Sequence, residues 1–362
     1  MSNCLWVGNM IESNRQGEYM KVFFYTELED KMSISGLGKA IEHQKSAARD
    51  AGIEYVTSAD EDYDILHINT WLPKSYLVAA NARLKGKKVV YHAHSTEEDY
   101  RDGFILGHET SRFIRWWLVR CYSLGDIIVT PSEYSKKLLQ GYKGLEHKTI
   151  RVISNGVDLD FFRKDPDTGA AFRKIYGYSK DDKVIMGIGL YIRRKGISDF
   201  VELAKRFPDY KFIWFGYSSL KAATRDVREA VNTSLPNLTW AGYVDKQTIK
   251  AAFSGADLFL FPTLEETEGI PVIEAAACRQ NIIVRDIPAF EGWLKDGENV
   301  YKARDVDDFE VRIRDFMNGK LKDLRDAAYE VARQRDLRII GYQLRDVYEE
   351  VLNQESENCQ PD

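Results

Sequence analysis

Cysteine is scarce in this chain. The four present, Cys4, Cys121, Cys278 and Cys359, stand far apart in 362 residues and fall into no CxxC or Cys/His spacing. Neither a zinc module nor a disulfide framework is suggested, and a reducing cytoplasm is the expected compartment. Also lacking is any apolar run long enough to cross a bilayer. The opening residues MSNCLWVGNMIESNRQGEY carry no basic start, no long apolar stretch and no small-residue cleavage site, so they do not read as a signal peptide. A basic excess is missing too. With 51 Lys and Arg against 56 Asp and Glu, the formal charge is -5, which argues against a general nucleic-acid binder because phosphate neutralisation needs a surplus of cations.

What is present is the balance of a globular chain, 44% hydrophobic and 30% charged. The length exceeds one ordinary core, so two domains are expected. Short apolar runs followed by helical periodicity repeat throughout: KVFFYTE, YDILHIN, KKVVYHAH, DIIVTPS and TIRVISN, then KVIMGIGL, YKFIWFGY, LTWAGYV, DLFLFPT and NIIVRD. Continuous rather than alternating apolar strands imply sheets covered on both faces, and alternation with helices implies parallel order. The reading is α/β, two doubly wound units whose ligands sit beyond the carboxyl ends of the strands. The expected divisions are an extension over 1–19, a first domain over 20–163, a second over 164–335, and a helix and tail over 336–362 that returns to the first domain.

Four stretches carry candidate chemistry. In SISGLGKAIEHQ, Gly36 and Gly38 precede a helix and follow a strand, a place where backbone N–H groups approach an anion. No Walker A or strict GxGxxG completes it, and a glycine turn for tight strand–helix packing is the alternative. In HAHST, His94 lies just past a strand tip, able to bind a sugar hydroxyl or to be an ordinary structural histidine. In GLYIRRKG, Arg193, Arg194 and Lys195 follow the first strand of the second domain, either gripping a diphosphate or forming a solvated turn. In EETEGIPVIE, a helix is expected to begin near Ile270 with Pro271 in its first turn. The amides of Gly269 to Val272 would meet an anion there. Glu266 and Glu274, on either side, would accept paired hydrogen bonds from the hydroxyls of a hexose and a ribose. Glu265 and Glu268 are accounted for as acidic residues favourable to a helix N-terminus.

Assembled in order, these residues resemble the retaining glycosyltransferases of GT-B fold that carry an E-x7-E motif. The resemblance runs from Met20 to about Tyr348, with SNGVD at 154–158 and the Lys195–Gly196 pair in support. It implies two Rossmann-like domains facing a cleft, a UDP-sugar donor and retention at the anomeric carbon. It further implies Glu274 on the ribose, Glu266 and His94 at the donor hexose, Lys195 with Arg194 on the diphosphate, and Gly36 and Gly38 closing over the phosphates, with no metal and no cofactor. The sequence departs from that pattern where Leu190 replaces an arginine, so that Arg193 or Arg194 supplies the charge or it is missing. It departs again where Glu268 replaces a phenylalanine.

HSTEEDYRDGF, RRKGISDF and KFIWFGY are similar to the Gram-positive enzymes that add galactose or glucose to α-glucosyl-diacylglycerol, making the lipoteichoic acid anchor. That resemblance implies UDP-galactose or UDP-glucose as donor, glucosyl-diacylglycerol as acceptor, and peripheral association with the inner face of an anionic membrane. A polysaccharide or soluble-sugar acceptor, or a non-catalytic sugar-nucleotide protein, are the alternatives. For membrane contact, TSRFIRWWLVRCYSLG interleaves Arg112, Arg115 and Arg120 with Phe113, Trp116 and Trp117, and NARLKGKK adds Arg83, Lys85, Lys87 and Lys88. Core packing of the tryptophans is the competing reading.

Overall fold

The computed structural model describes residues 20–32, 35–101 and 107–353, so the expected extension over 1–19 and the tail beyond 353 lie outside it. Its first sheet is built from β1 (Lys21–Tyr25), β2 (Glu54–Val56), β3 (Ile65–Ile68), β4 (Lys88–His92), β5 (Ile127–Thr130) and β6 (Thr149–Val152). The second contains β7 (Val184–Ile188), β8 (Lys211–Phe215), β9 (Leu238–Gly242), β10 (Leu258–Phe261), β11 (Ile282–Arg285) and β12 (Tyr301–Ala303). The strand orders are β2-β1-β3-β4-β5-β6 and β12-β11-β10-β7-β8-β9, and every pairing between these strands is parallel.

The unbroken apolar strands have the expected cause. In β4, Val89 and Tyr91 pack with Leu118 and Tyr122 on one face, while Val90 packs with Ala47 and Leu344 on the other. In β8, Phe212 and Trp214 enter one core of the second domain, and Ile213 and Phe215 the other. Two edge strands escaped the sequence reading. EYV of β2 and YKA of β12 have three residues each and expose too much to form an apolar run.

Strand order also places the cleft. In each sheet the order reverses, between β1 and β3 in the first and between β7 and β10 in the second, and chains leaving on opposite sides of such a point open a crevice at the strand tips. The loops after β7 and β10 contain Lys195 and Glu266, and those after β1 and β3 contain Ser35 and Asn69.

The chain crosses between domains twice. After β6 it runs to Val157, which is buried in a core of the second domain. It returns at Asp336 into the helix Leu337–Asn353, whose Leu337, Ile340, Leu344 and Val351 join the first domain's core. The two crossings are zipped together by a parallel bridge between Val157 and Asp336, where Val157 N donates to Arg335 O at 2.9 Å and Leu337 N to Val157 O at 3.2 Å.

Candidate active site

Between the domains lies a cleft of about 730 Å³, whose walls include Glu266, Gly269, Ile270, Glu274, Lys195 and Arg194 from the second domain and Gly36, Lys39 and His94 from the first. Residues that were scattered through the sequence meet here because both switch points open onto the same space.

The helix expected near Ile270 spans Ile270–Ala277, with Pro271 in its first turn. Gly269, its N-cap, has φ 97°, a left-handed conformation that a Cβ would strain. Among the described residues no side chain caps this end, so the positive end of the helix faces the cleft. The number of amides available is smaller than the sequence suggested: Pro271 has none, and Val272 N donates to Gly269 O at 2.9 Å.

Glu266 and Glu274 flank this helix start, and both are buried. Lys195 Nζ is bonded to Glu266 Oε1, Thr263 Oγ1 donates to the same oxygen at 3.0 Å, and Arg194 Nη1 lies 3.6 Å from Oε2. Burial alone would raise the Glu266 carboxyl, but Lys195 and Arg194 outweigh it and hold it below the ordinary value. Burial lowers the Lys195 ammonium against the pull of Glu266. Both side chains of the pair are largely withdrawn from water, 13% and 8% exposed. The glycine after Lys195 is obligatory: at φ 68°, a Cβ on Gly196 would lie 2.1 Å from Pro262 O. That close approach seats the Lys195 loop against the end of β10.

The charge missing at Leu190 is not restored by its neighbours. Arg193 is exposed and lies 3.7 Å from Asp226, and Arg194 reaches across the cleft to Asp99 at 3.1 Å. The sequence reading offered Asp99 no role. The first domain instead places Lys39 at the cleft, its Nζ 3.2 Å from both carboxylate oxygens of Glu274. Lys39 stood in the quoted SISGLGKAIEHQ as the first cation after the glycines, but nothing local showed that it would meet a residue 235 positions away.

Gly36 lines the cleft, and a Cβ there would meet no atom within 4 Å, so tight packing is not what this glycine serves. Gly38 acts differently, since its N–H donates at 3.3 Å to Oγ of Ser35, the residue that caps the Gly36–Asp50 helix.

His94 lines the cleft at the end of a buried polar chain. Its Nε2 lies 3.1 Å from Asn69 Oδ1 and 3.2 Å from Gln44 Nε2, and its ring stacks on His92 at 4.0 Å. Gln44 Nε2 also donates to His92 Nδ1 at 2.8 Å, and Tyr348 OH is 2.7 Å from His67 Nδ1. Burial pushes His94 and His67 down to about 3 and His92 well below its ordinary value, so the imidazoles are neutral and bond as dipoles.

Glu268 corrects the sequence reading. It is not a helix-favouring surface acid but a buried clasp: Asn155 donates to its Oε2 from the backbone at 2.9 Å and from Nδ2 at 2.8 Å, and Arg335 Nε lies 3.7 Å from Oε1. Asn155 and Arg335 belong to the two crossings, so one carboxylate two residues past Glu266 holds both hinge segments. Alongside it, Ser132 Oγ donates to Thr267 O at 2.5 Å.

Glu265 also differs from a simple surface acid. Burial pushes its carboxyl up to about 7, helped by repulsion from Asp99, Glu266 and Glu98 and opposed by a hydrogen bond from Tyr134. A folded-state value above the ordinary 4.5 means that the folded chain binds the extra proton between about 4.5 and about 7, so stability falls as pH rises through that window. Glu265→Gln removes the ionisation. Its melting temperature should gain on the wild type between about pH 4.5 and about pH 8 in thermal melts, whereas a pH-independent difference would refute the assignment.

On the helix Gly107–Tyr122, Phe113 and Trp116 are 63% and 51% exposed, Arg112 is exposed, and Arg120 sits over the Trp116 ring. Two expected members of this face are otherwise engaged. Trp117 Nε1 donates to Trp71 O at 2.6 Å, and Arg115 is bonded to the buried Glu97. In NARLKGKK, Arg83 pairs with Asp126 at 2.7 Å and Lys87 with Asp62 at 3.1 Å. The neighbouring helix Pro73–Leu84 adds an exposed Leu77, the two helices meeting through the Tyr76 and Trp117 rings.

Two Rossmann-like domains, a cleft between their switch points and an E-x7-E pair around a helix start define a GT-B glycosyltransferase. The chain belongs to glycosyltransferase family 4: residues 55–161 match the model described as Glycosyltransferase Family 4, and residues 170–335 match Glycosyl transferases group 1. It is 35% identical over 336 residues to the processive diacylglycerol alpha-glucosyltransferase of Acholeplasma laidlawii, covering 92% of this chain and 99% of that one. It is 24% identical over 281 residues to the alpha-galactosylglucosyldiacylglycerol synthase of Streptococcus pneumoniae, covering 75% and 73%. Among solved structures, Anabaena HepE in complex with UDP and glucose superposes with a TM-score of 0.71 at 15% identity, over 92% of this chain and all of that one. The sucrose-phosphate synthase of Thermosynechococcus elongatus gives 0.69 at 18%, over 91% and 80%.

Proposed function

We propose that this glycosyltransferase moves a hexose, glucose or galactose, from a UDP-sugar to glucosyl-diacylglycerol at an anionic membrane surface, with retention at the anomeric carbon. The observation that carries the reading is the pair of buried carboxylates, Glu266 and Glu274, on either side of an uncapped helix start in one interdomain cleft. Carboxylates accept from vicinal hydroxyls, and a helix start attracts the diphosphate between them. Glu274 takes the ribose, Glu266 and the neutral His94 the hexose, and Lys195 the diphosphate.

In this reading retention follows from substitution on one face. The bond from the anomeric carbon to the diphosphate oxygen breaks, the acceptor oxygen bonds to the same face, and its proton passes to the departing diphosphate. The protein contributes position and charge: Lys195 and the Gly269–Ile270 end stabilise the negative charge growing on the leaving group, without a divalent ion. Arg194, tied to Asp99, braces Glu266 from behind.

The acceptor side is the first domain's wall, where Trp71, Leu72, Tyr100 and Ile114 give an apolar lining suited to a glycerolipid. Ile114 shares its helix with the exposed Phe113 and Trp116. That helix therefore joins the cleft to a face of aromatic and basic residues suited to an anionic interface. No helix among the described residues is long and apolar enough to cross a membrane, and the reading is of peripheral attachment. The kinship with a diacylglycerol glucosyltransferase weights glucose over galactose as the hexose.

The test is transfer by the purified chain from UDP-glucose and UDP-galactose, supplied separately, to glucosyl-diacylglycerol in phosphatidylglycerol vesicles. Product with an α linkage supports the reading. Transfer only to soluble sugars refutes the acceptor, and no turnover of either donor refutes the reaction. Replacing Phe113 and Trp116 together by alanine should weaken co-sedimentation with the same vesicles by about tenfold, and unchanged binding would move the membrane face elsewhere.

A further inference from the structure

We propose that Lys39 is a ligand for the donor's diphosphate, supplied across the cleft by the first domain and exchanged off Glu274 when ribose hydroxyls take that carboxylate. The inference rests on the nucleotide-sugar reading above and adds a residue to it.

The physical basis is charge. Of the five cations that line the cleft, four are matched by carboxylates, Lys195 with Glu266, Arg194 with Asp99 at 3.1 Å, Lys246 with Glu42 at 2.7 Å, and Lys39 with Glu274 at 3.2 Å, while the fifth, Arg49, donates to Tyr55 OH at 2.8 Å. A diphosphate entering walls that are already neutralised gains little unless some cation is released to it. The sugars do the releasing. Hydroxyl groups satisfy a carboxylate's lone pairs without bringing charge, so ribose on Glu274 and hexose on Glu266 replace the two lysines as hydrogen-bond partners. Both ammonium groups then become available to the phosphates that lie between the two sugars.

Reach permits this. Glu274 is four residues inside the helix that starts at Ile270. That is about 6 Å of rise, within the swing of a flexible four-carbon stem carrying three donors. Lys39 keeps 31% of its side chain exposed, whereas Glu274 keeps 1%, so the lysine is the partner with room to move. The exchange also accounts for Leu190. The charge that resemblance led us to expect there is not supplied by Arg193, which lies by Asp226, or by Arg194, which is bound to Asp99. Lys39 supplies it from the opposite domain, so that diphosphate binding draws the two domains together.

Calorimetric titration of the full chain with uridine and with UDP separates the exchange from a merely structural salt bridge. The wild type should prefer UDP over uridine. In Lys39→Met that preference should fall by about tenfold, the worth of one charge-assisted contact to phosphate. Uridine affinity should hold or improve, since Glu274 loses a competing cation, and Lys39→Arg should keep the wild-type preference within about threefold. Uridine binding doubles as the check that the variant is folded, and Lys39→Gln takes its place if Lys39→Met binds none. An unchanged preference, or equal weakening of uridine and UDP, overturns the role of Lys39. A wild type without preference for UDP overturns the nucleotide-sugar reading itself.

Discussion

Lys195→Ala should lower kcat/KM for the UDP-sugar by on the order of a thousandfold, because in the proposed reaction it removes a cation that stabilises the charge developing on the departing diphosphate. In water one charge on a leaving group matters little; in a cleft where the lysine side chain is 13% exposed the same charge acts through a poorer dielectric. Folding should survive the change, since Glu266 keeps the Thr263 hydroxyl at 3.0 Å and the Arg194 guanidinium at 3.6 Å. Glu266→Gln preserves shape but not charge, and should cost on the order of a hundredfold. The double variant should lose little more than Lys195→Ala alone, because the two groups act as a unit. Initial rates beside thermal melts decide the matter: a folded Lys195→Ala protein within about threefold of wild type would remove Lys195 from the reaction.

Glu268→Ala should destabilise the protein by about 3–5 kcal/mol, the scale for breaking a buried charged contact by deleting one side. Its cause is specific. The substitution leaves the buried Asn155 N–H and amide without their 2.9 and 2.8 Å acceptor, and removes the counter-charge 3.7 Å from Arg335. Because both crossings lose their common anchor at once, the change should also raise KM for the donor by loosening the geometry between domains. Glu268→Gln is the control: its amide oxygen still accepts from Asn155, so its loss should be less than half as large. Urea unfolding of the three proteins measures the difference. A loss below about 1 kcal/mol for Glu268→Ala would show that the Val157–Asp336 bridge holds the hinge without help from this carboxylate.

Where sequence and structure agree, the cause is local. Runs such as DLFLF and KFIWF read as strands because both faces of each sheet are covered, and EGIPVIE reads as a helix start because glycine admits a left-handed turn that other residues avoid and proline fixes φ for the first helical turn. Glu266, Glu274 and Lys195 were legible because their spacing lies within one loop and one helix turn or beside a glycine that fixes it. β2 and β12 were not, since three half-exposed residues carry no period.

The partners of these residues were invisible for a different reason. Lys39 and Glu274, Arg194 and Asp99, and Asn155 and Glu268 are separated by 235, 95 and 113 positions and meet only because two switch points face each other across a hinge. Trp117 and Arg115 show the same limit in reverse: a basic and aromatic pattern says that a helix has two characters, but only packing against Trp71 and Glu97 decides which side is spent. The strands, the start of the Ile270 helix and the identity of the charged groups were readable from the chain of letters, because short-range sterics and burial produce them. Which charges neutralise each other had to await the assembled domains, because Coulomb energy depends on distance in space and on exclusion of water, and neither is written in sequence separation.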